Sequence, residues 1–571
     1  MTCLAWNSVP ALSELALAAE THGRPLYLAV CLPDMRMPEF APCACPSGQE
    51  ILLAENIRSG LACLQFTGVN VFADVLPDVH LWLFPPQYAG RLNAHFPQGI
   101  DWQTEAVPQE SPHPVKPWFR PSENPENRKP PQHVLVVGAG IAGAATAYSL
   151  ARHGVRVTVL DAGGIAGAAS GNYQGLLYAK ISPHPTEQTE LLLAGYGHTR
   201  RLLQKLLPDQ NAWGGQGVLH LNFSEAERKR NQALAQQTHH AHLYRAVSAR
   251  EAAEIASIDV FSDGLYWPQG IWLNPRALIE KLLSHPLIEV RPHTPLLRAE
   301  RNGRQWLAHT PKQIFAADCI VYCTGADSAN APEPNLAALP LRLMRGQTSV
   351  AAATQFSHRL RCALSGESYV SPAWQGMHCY GASFVLNCGD SAWRPSEETA
   401  NRNALAALNP PLAESLFALS DGLSESATTA AEKSEKIRPD NNPESSGQRI
   451  RPAEGHAAVR CDSTDHLPVV GALGNAAAMR QTYAKLASDK NYPIDTPCPY
   501  LPDAYANTAH GTRGLATAPI CAEALAAEIL GLPNPFPPHI RQALHPNRLI
   551  IRDIVRSHTP SPPQCGISDT D

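Results

Sequence analysis

No stretch of this 571-residue chain approaches the roughly 20 consecutive apolar residues that a helix needs to cross a bilayer. Neither sign of charge dominates: 46 Lys and Arg stand against 51 Asp and Glu. That excludes a bulk polycation, and any contact with RNA must come from a local patch. The 14 cysteines lack framework spacing, and Cys43-Ala-Cys45 has no second pair or histidine cluster to complete a metal site. Scattered thiols suit a reducing compartment, so a cytoplasmic location is expected. The N-terminus carries Glu14 and Glu20 and no cationic start, which makes a poor signal peptide. Lys is absent from residues 1–104, which hold four Arg and nine acids, a net charge of −5 against −5 for the whole chain. No G-x-G-x-G occurs before residue 133.

What is present begins at His133. The stretch HVLVVGAGIAGAATAYSLARHGVRVTVLD (133–161) reads as strand, glycine turn, helix, strand and acid. Gly138, Gly140 and Gly143 let the chain turn tightly, let a pyrophosphate approach the backbone, and let the helix pack on the strand. The helix start offers unpaired N–H groups to phosphates. Asp161 stands where a carboxylate would bond the ribose hydroxyls of an adenosine. With both strands, the helix and the acid in place, the stretch reads as a dinucleotide-binding unit.

Around it the chain divides. Residues 1–104 form a unit with buried strands at Pro25–Leu32 and Val69–Phe84 and a helix at Ser13–Glu20, an α/β layer. Residues 105–132 read as a linker, with eight prolines between Val107 and Gln132. Downstream, Glu187–Leu207 has helical spacing, Trp213–Phe223 and Gly264–Leu273 read as strands with turns, and Ile320–Gly325 reads as a buried strand ending in glycine. Residues 418–455 lack apolar periodicity and read as a disordered insertion, and 558–571 as a flexible tail.

Several ordered segments together resemble one family. They include Val136–Gly154, ASGNYQGLLY (169–178), YWPQGIWLNP (266–275), CYGASF (379–384), VRCDSTDHLPVVG (459–471), GTRGLATAPICAE (511–523), HPNRLIIR (545–552) and the linker piece KPWF (116–119). The chain resembles the bifunctional tRNA 5-methylaminomethyl-2-thiouridine biosynthesis proteins. Their C-terminal half is an FAD-dependent oxidoreductase of the D-amino-acid oxidase and glycine oxidase type. The resemblance implies FAD rather than NAD. It also implies a Rossmann-type FAD domain with an interleaved antiparallel-sheet substrate domain over 133–557, beside a small N-terminal α/β unit. Residues 1–104 depart from the family's methyltransferase half. HLWLFPPQYAG (80–90) lacks the family's Asp-Gly pair, so the unit reads as degenerate.

The implied reaction is oxidation of the carboxymethylaminomethyl group on a tRNA wobble uridine. Hydride passes to FAD, the resulting imine is hydrolysed, glyoxylate leaves and the aminomethyl uridine remains. The substrate carboxylate calls for a clamp, and the fork of an Arg suits it. Arg460 is the first candidate, against a structural pairing with Asp462 or Asp465. Tyr369 is either a second carboxylate ligand or a strand aromatic. Arg345, read as lying on a turn, faces the flavin pocket or the surface. For the cofactor the resemblance adds Ser170, Gly171, Asn172 and Gln174 near the flavin ring, Gly325 by the phosphates, and Gly511, Thr512, Arg513 and Gly514 at a helix start. Arg541, Arg548 and Arg552, with His545 and Arg556, recur at helical spacing and form either an RNA-binding stripe or a solvated face, interrupted by Pro546. Three alternatives stay open: a bifunctional enzyme that also methylates with S-adenosylmethionine, a free amino-acid oxidase, and a non-catalytic flavin-bearing RNA-binding protein.

Overall fold

The computed structural model describes residues 2–42, 44–111, 114–121, 129–418 and 455–557. The expected insertion and tail thus lie almost wholly outside the described residues.

The dinucleotide-binding unit is a six-stranded sheet. Its order is Ile288–Arg291, Arg156–Leu160, His133–Val137, Cys319–Tyr322, Tyr500–Thr508 and Val469–Gly474. All neighbouring pairs are parallel except the last. Its central strands are apolar on both faces because helices cover one and a three-stranded meander, Arg298–Ala317, with further helices covers the other, and Val134–Val136, Ile320 and Val321 are fully buried. Helices Ile141–Ala151 and Gly514–Leu530 pack on one face with Ala and Gly surfaces that allow close approach.

A nine-stranded, mostly antiparallel sheet is threaded between these strands in sequence. Its longest members are Leu341–Ala352 and Gly455–Ser463, paired in unbroken register from Leu341↔Ser463 to Ser349↔Gly455. Helix Pro395–Leu408 covers one face of Leu341–Ala352. The expected fold class is the one observed.

The N-terminal unit is a separate five-stranded sheet, with Val69–Phe84 folded into a hairpin of Asn70–Leu76 and Val79–Phe84. Its contacts run past residue 104, since Glu110 N donates to Gly90 O at 2.7 Å. The unit is docked, not tethered. Phe66 N donates to His240 Nε2 at 3.0 Å, His242 Nε2 lies 2.7 Å from Leu64 O, and Tyr88 Oη lies 3.0 Å from Glu190 Oε2. Asp74 pairs with Lys205 at 2.6 Å and Arg152 at 3.4 Å. Part of the Pro-rich linker is anchored as well, because Trp118 packs against Tyr483 and Asn547 Nδ2 donates to Trp118 O at 2.7 Å.

Candidate active site

The glycine turn after His133–Val137 is sterically exacting. Gly138 has φ of +110°, and a Cβ there would meet Cys323 O at 2.4 Å. A Cβ on Gly143 would lie 1.8 Å from Gly138 O. Gly140 caps the helix, and Ser170 Oγ accepts from Ile141 N at 3.0 Å in its first turn. The Asp161 carboxylate accepts from Ala139, Gly163 and Gly164 N–H at 2.6, 2.8 and 2.6 Å. A carboxylate has about four acceptor positions, so one remains for a ligand hydroxyl. Gly325 takes φ of +52° just past the Cys319–Tyr322 strand.

A second helix start stands nearby. Gly511 has φ of +56°, and its open side faces the Asp462 carboxyl, which a Cβ would meet at 3.2 Å. Thr512 is exposed, Arg513 caps the helix and Gly514 begins it. The buried Arg513 Nη1 has no hydrogen-bond partner among the described residues. Behind this loop, His510 bonds Thr517 Oγ1 and Asn507 Oδ1, both at 2.9 Å, and Asn507 Nδ2 donates to Thr146 Oγ1 at 3.0 Å on the first helix. The two helix starts are thereby tied to one another. A cradle that excludes Cβ atoms, two helix N-termini, a carboxylate with a spare acceptor and an orphaned guanidinium nitrogen fit a flavin dinucleotide.

The Gly455–Ser463 strand runs between the two cofactor loops. His456 Nε2 lies 2.8 Å from Ala168 O and packs on Gly171, while Asp462 lies against Gly511. Arg460 sits between them. Its guanidinium lies directly over Gly346 of the neighbouring strand, where a Cβ would come within 2.0 Å of Nη1. No carboxylate pairs with it among the described residues. Asp462 accepts from Ser463 N at 2.8 Å and bonds His466 at 2.6 Å, and Asp465 pairs with Arg548 at 2.9 Å and Arg552 at 2.5 Å. Both structural partners considered for Arg460 are therefore taken. Burial pulls the Arg460 guanidinium below its ordinary value, while the nearby Tyr369 hydroxyl acts the other way.

Alternation along Leu341–Ala352 decides which side chains join Arg460. Arg342, Met344, Gly346 and Thr348 share its face, since Met344 is paired with Arg460 in register. Arg345, Gln347 and Ser349 point the other way. Arg345 is fully buried there, donating from Nε to Glu397 at 2.7 Å, from Nη2 to Gln347 at 3.0 Å and from Nη1 to Asp390 O at 2.8 Å. The reading of Arg345 as a turn residue of the flavin pocket is corrected: it is a strand residue that locks helix Pro395–Leu408 to the sheet.

Tyr369 is on the site face, opposite Gly381, but its hydroxyl is engaged with Gln174 O and Asn172 Nδ2, both at 3.1 Å. Burial first, then the Cys379 thiol, holds that hydroxyl well above the ordinary tyrosine range, so it stays protonated. Asn172 also accepts from Thr348 Oγ1 at 2.8 Å. Gln174 is wholly buried, donating to Pro372 O at 3.0 Å and accepting from Cys379 N at 3.2 Å. The side chains of Asn172 and Gln174 thus hold the cofactor loop to the substrate sheet.

The basic stripe is also corrected. Arg541 lies on helix Pro538–Leu544 and Arg548 and Arg552 on helix Asn547–Arg556, with Pro546 between them. Arg548 is buried against Asp465, Arg552 shares that carboxylate, and Arg541 Nε is buried without a hydrogen-bond partner among the described residues. No continuous cationic face remains.

Sequence reading missed Gly346, Thr348, Cys379 and His456. Period-two alternation could have grouped them, but only the pairing register shows which strands adjoin.

The family model described as "DAO: FAD dependent oxidoreductase" matches residues 133–528. This chain belongs to that family. It is 36% identical over 443 residues to the tRNA 5-methylaminomethyl-2-thiouridine biosynthesis bifunctional protein MnmC of Chromobacterium violaceum, covering 77% of this chain and 62% of that relative. The protein of the same name from Pseudomonas putida KT2440 is 37% identical over 446 residues, 78% of this chain and 63% of the relative. The chain thus spans less than two thirds of the length of these relatives. Among solved structures, glycine oxidase from Geobacillus kaustophilus superposes with a TM-score of 0.51 at 16% identity, covering 70% of this chain and 94% of that one. L-proline dehydrogenase from P. horikoshii superposes with a TM-score of 0.53 at 15% identity, over 73% and 97%. These likenesses establish the fold. The protein is an FAD-dependent oxidoreductase, and none of its described helices is long and apolar enough to span a membrane.

Proposed function

We propose that this chain oxidatively removes the carboxymethyl arm from 5-carboxymethylaminomethyl(-2-thio)uridine at the wobble position of tRNA, leaving the aminomethyl base and glyoxylate. The observation that carries the reading is Arg460, a cation without an ionic partner among the described residues, set between the two cofactor loops. A secondary amine bearing a carboxymethyl arm brings the anion this site lacks. The names of the relatives supply the nucleoside.

Bound FAD would supply a hydride acceptor. The residues of the chain bind and orient. Arg460 would grip the carboxylate with two parallel N–H donors, fixing the carbon beside the nitrogen. Gly346 leaves room for that guanidinium. Tyr369 stays protonated and keeps the Asn172–Gln174 segment in place. The neutral amine can release hydride without a general base, and no buried carboxylate is needed beside it. Of the 1–104 unit we propose only a structural role, because its first helix start is closed by its own chain.

The test is anaerobic mixing of the yellow protein with tRNA bearing the carboxymethylaminomethyl group. Bleaching of flavin absorbance by that tRNA, and not by glycine or sarcosine, is expected. Bleaching by the small amino acids alone would replace this reading with free amino-acid oxidation. No bleaching by any of them would leave a non-catalytic flavoprotein.

A further inference from the structure

The sheet face that carries Arg460 ends at an edge the reaction leaves unused. There the short strand Val385–Leu386 pairs with Leu341–Ala352 at Arg345↔Val385 and Met344↔Leu386. Ser383 N donates to Gln347 O at 3.0 Å and Asn387 N to Leu343 O at 2.8 Å, so one register extends from 383 to 387. Phe384 then stands opposite Gly346. The Ser383 hydroxyl bonds Glu397 on the far face, beside Arg345. Alternation therefore turns Phe384 to the Arg460 face.

Three unlike side chains border the clamp on that face. Phe384 is 57% exposed and Leu386 58% exposed. Arg342, in line with Met344 and Gly346, is exposed and has no ion-pair partner among the described residues. Single exposed apolar residues need no explanation. An aromatic ring, an aliphatic neighbour and an unpaired arginine in a row beside a substrate clamp do.

The spacing matches the proposed substrate. From its carboxylate carbon to the pyrimidine ring, the carboxymethylaminomethyl arm spans four bonds, about 5 Å. A charge-assisted hydrogen bond to the guanidinium adds about 2.8 Å. The base edge therefore falls about 8 Å from Arg460. Phe384 is one strand spacing, about 4.8 Å, from the Gly346 backbone beneath that guanidinium, and its ring reaches further outward.

We propose that Phe384 is the platform on which the base carrying the amine stacks, with Leu386 as its apolar border and Arg342 meeting a neighbouring backbone phosphate. The occupant is an unpaired nucleobase of an RNA strand, for which aromatic stacking plus a phosphate contact is the common mode of recognition. The inference rests on the tRNA reading and adds a base-recognition surface to it. Phe384 is here a specificity-determining residue, separate from the carboxylate clamp.

The test compares wild type with Phe384→Ala, Phe384→Trp and Arg342→Gln, each checked for bound FAD and melting temperature. The readout is the concentration of carboxymethylaminomethyl-tRNA giving half-maximal anaerobic bleaching, at several salt concentrations. Phe384→Ala should raise that concentration about tenfold or more, and Phe384→Trp should return it to within about threefold of wild type. Arg342→Gln should lower the slope of log affinity against log salt by about 0.7. An unchanged half-saturation in Phe384→Ala, or a Trp variant as impaired as the Ala variant, overturns the platform. If tRNA bleaches the wild-type flavin while Phe384→Ala behaves as wild type, this inference alone fails. If tRNA does not bleach the wild type, the functional reading fails first and the platform with it.

Discussion

The sheets headed by Thr2–Trp6 and His133–Val137 are built alike up to the end of their first strand. Each begins with a buried strand that leads into a helix packed on the sheet. The exits differ. His133–Val137 leaves through Gly138-Ala139-Gly140, with backbone packed so closely that no Cβ fits at Gly138 or Gly143. Thr2–Trp6 leaves through Asn7-Ser8-Val9-Pro10-Ala11 into helix Leu12–Thr21. There Leu12 N already donates to Ala41 O at 3.1 Å, and the Glu14 carboxylate accepts from Ala11 N at 3.2 Å. An acid at a helix start satisfies its dipole and repels a phosphate. One helix start presents a serine hydroxyl and glycine backbone to an anion, and the other a carboxylate and a carbonyl of its own chain.

The comparison breaks most sharply at Gly143. A Gly143→Ala substitution puts a methyl group 1.8 Å from Gly138 O, so the purified protein should lose most of its flavin, read as the ratio of visible to ultraviolet absorbance. Retained flavin would show that the turn relaxes.

Next is the seam between the sheets. His240 is fully buried, accepts from Phe66 N–H through Nε2, and is held down to about 3 by burial, then by His239 and His242. Its folded value lies below the 6.5 of the unfolded chain, so the unfolded state takes up protons more readily on acidification. The stabilisation is complete above pH about 6.5 and declines as pH falls toward 3. His95 and His80, both held to about 4 chiefly by burial, act in the same sense. The melting temperature should fall steadily below pH about 6.5, and His240→Asn should flatten that dependence.

A smaller effect concerns ligand choice. Titration of the protein with S-adenosylmethionine should give no saturable heat or fluorescence change, because the N-terminal helix start is closed. Saturable binding would restore the bifunctional reading. The smallest effect is expected from Glu14→Gln, which weakens one cap by about 0.5–1 kcal/mol in denaturant unfolding and leaves flavin content unchanged.

Much of this was legible beforehand. The glycine turn and both flanking strands were read correctly because each is a local event of a few residues. Helix Glu187–Leu206 was visible in its apolar spacing. Arg345 was misplaced because its strand carries Arg, Gly and Gln where a turn also would, and only sheet alternation turns it toward Glu397. The hairpin within Val69–Phe84 turns at Pro77-Asp78, a turn signal that the apolar residues on either side outweighed in the reading.

The sequence by itself determined that a glycine turn of the dinucleotide-binding type follows His133–Val137, since its strands, glycines, helix and closing acid succeed one another along a short stretch of chain. Only the tertiary structure decided that Arg460 is left without a carboxylate partner among the described residues. Asp465 is five residues from Arg460, yet its oxygens go to Arg548, 83 positions away, and Arg552, 87 positions away. Charges pair by distance in space, and that distance is set by packing between elements remote in sequence.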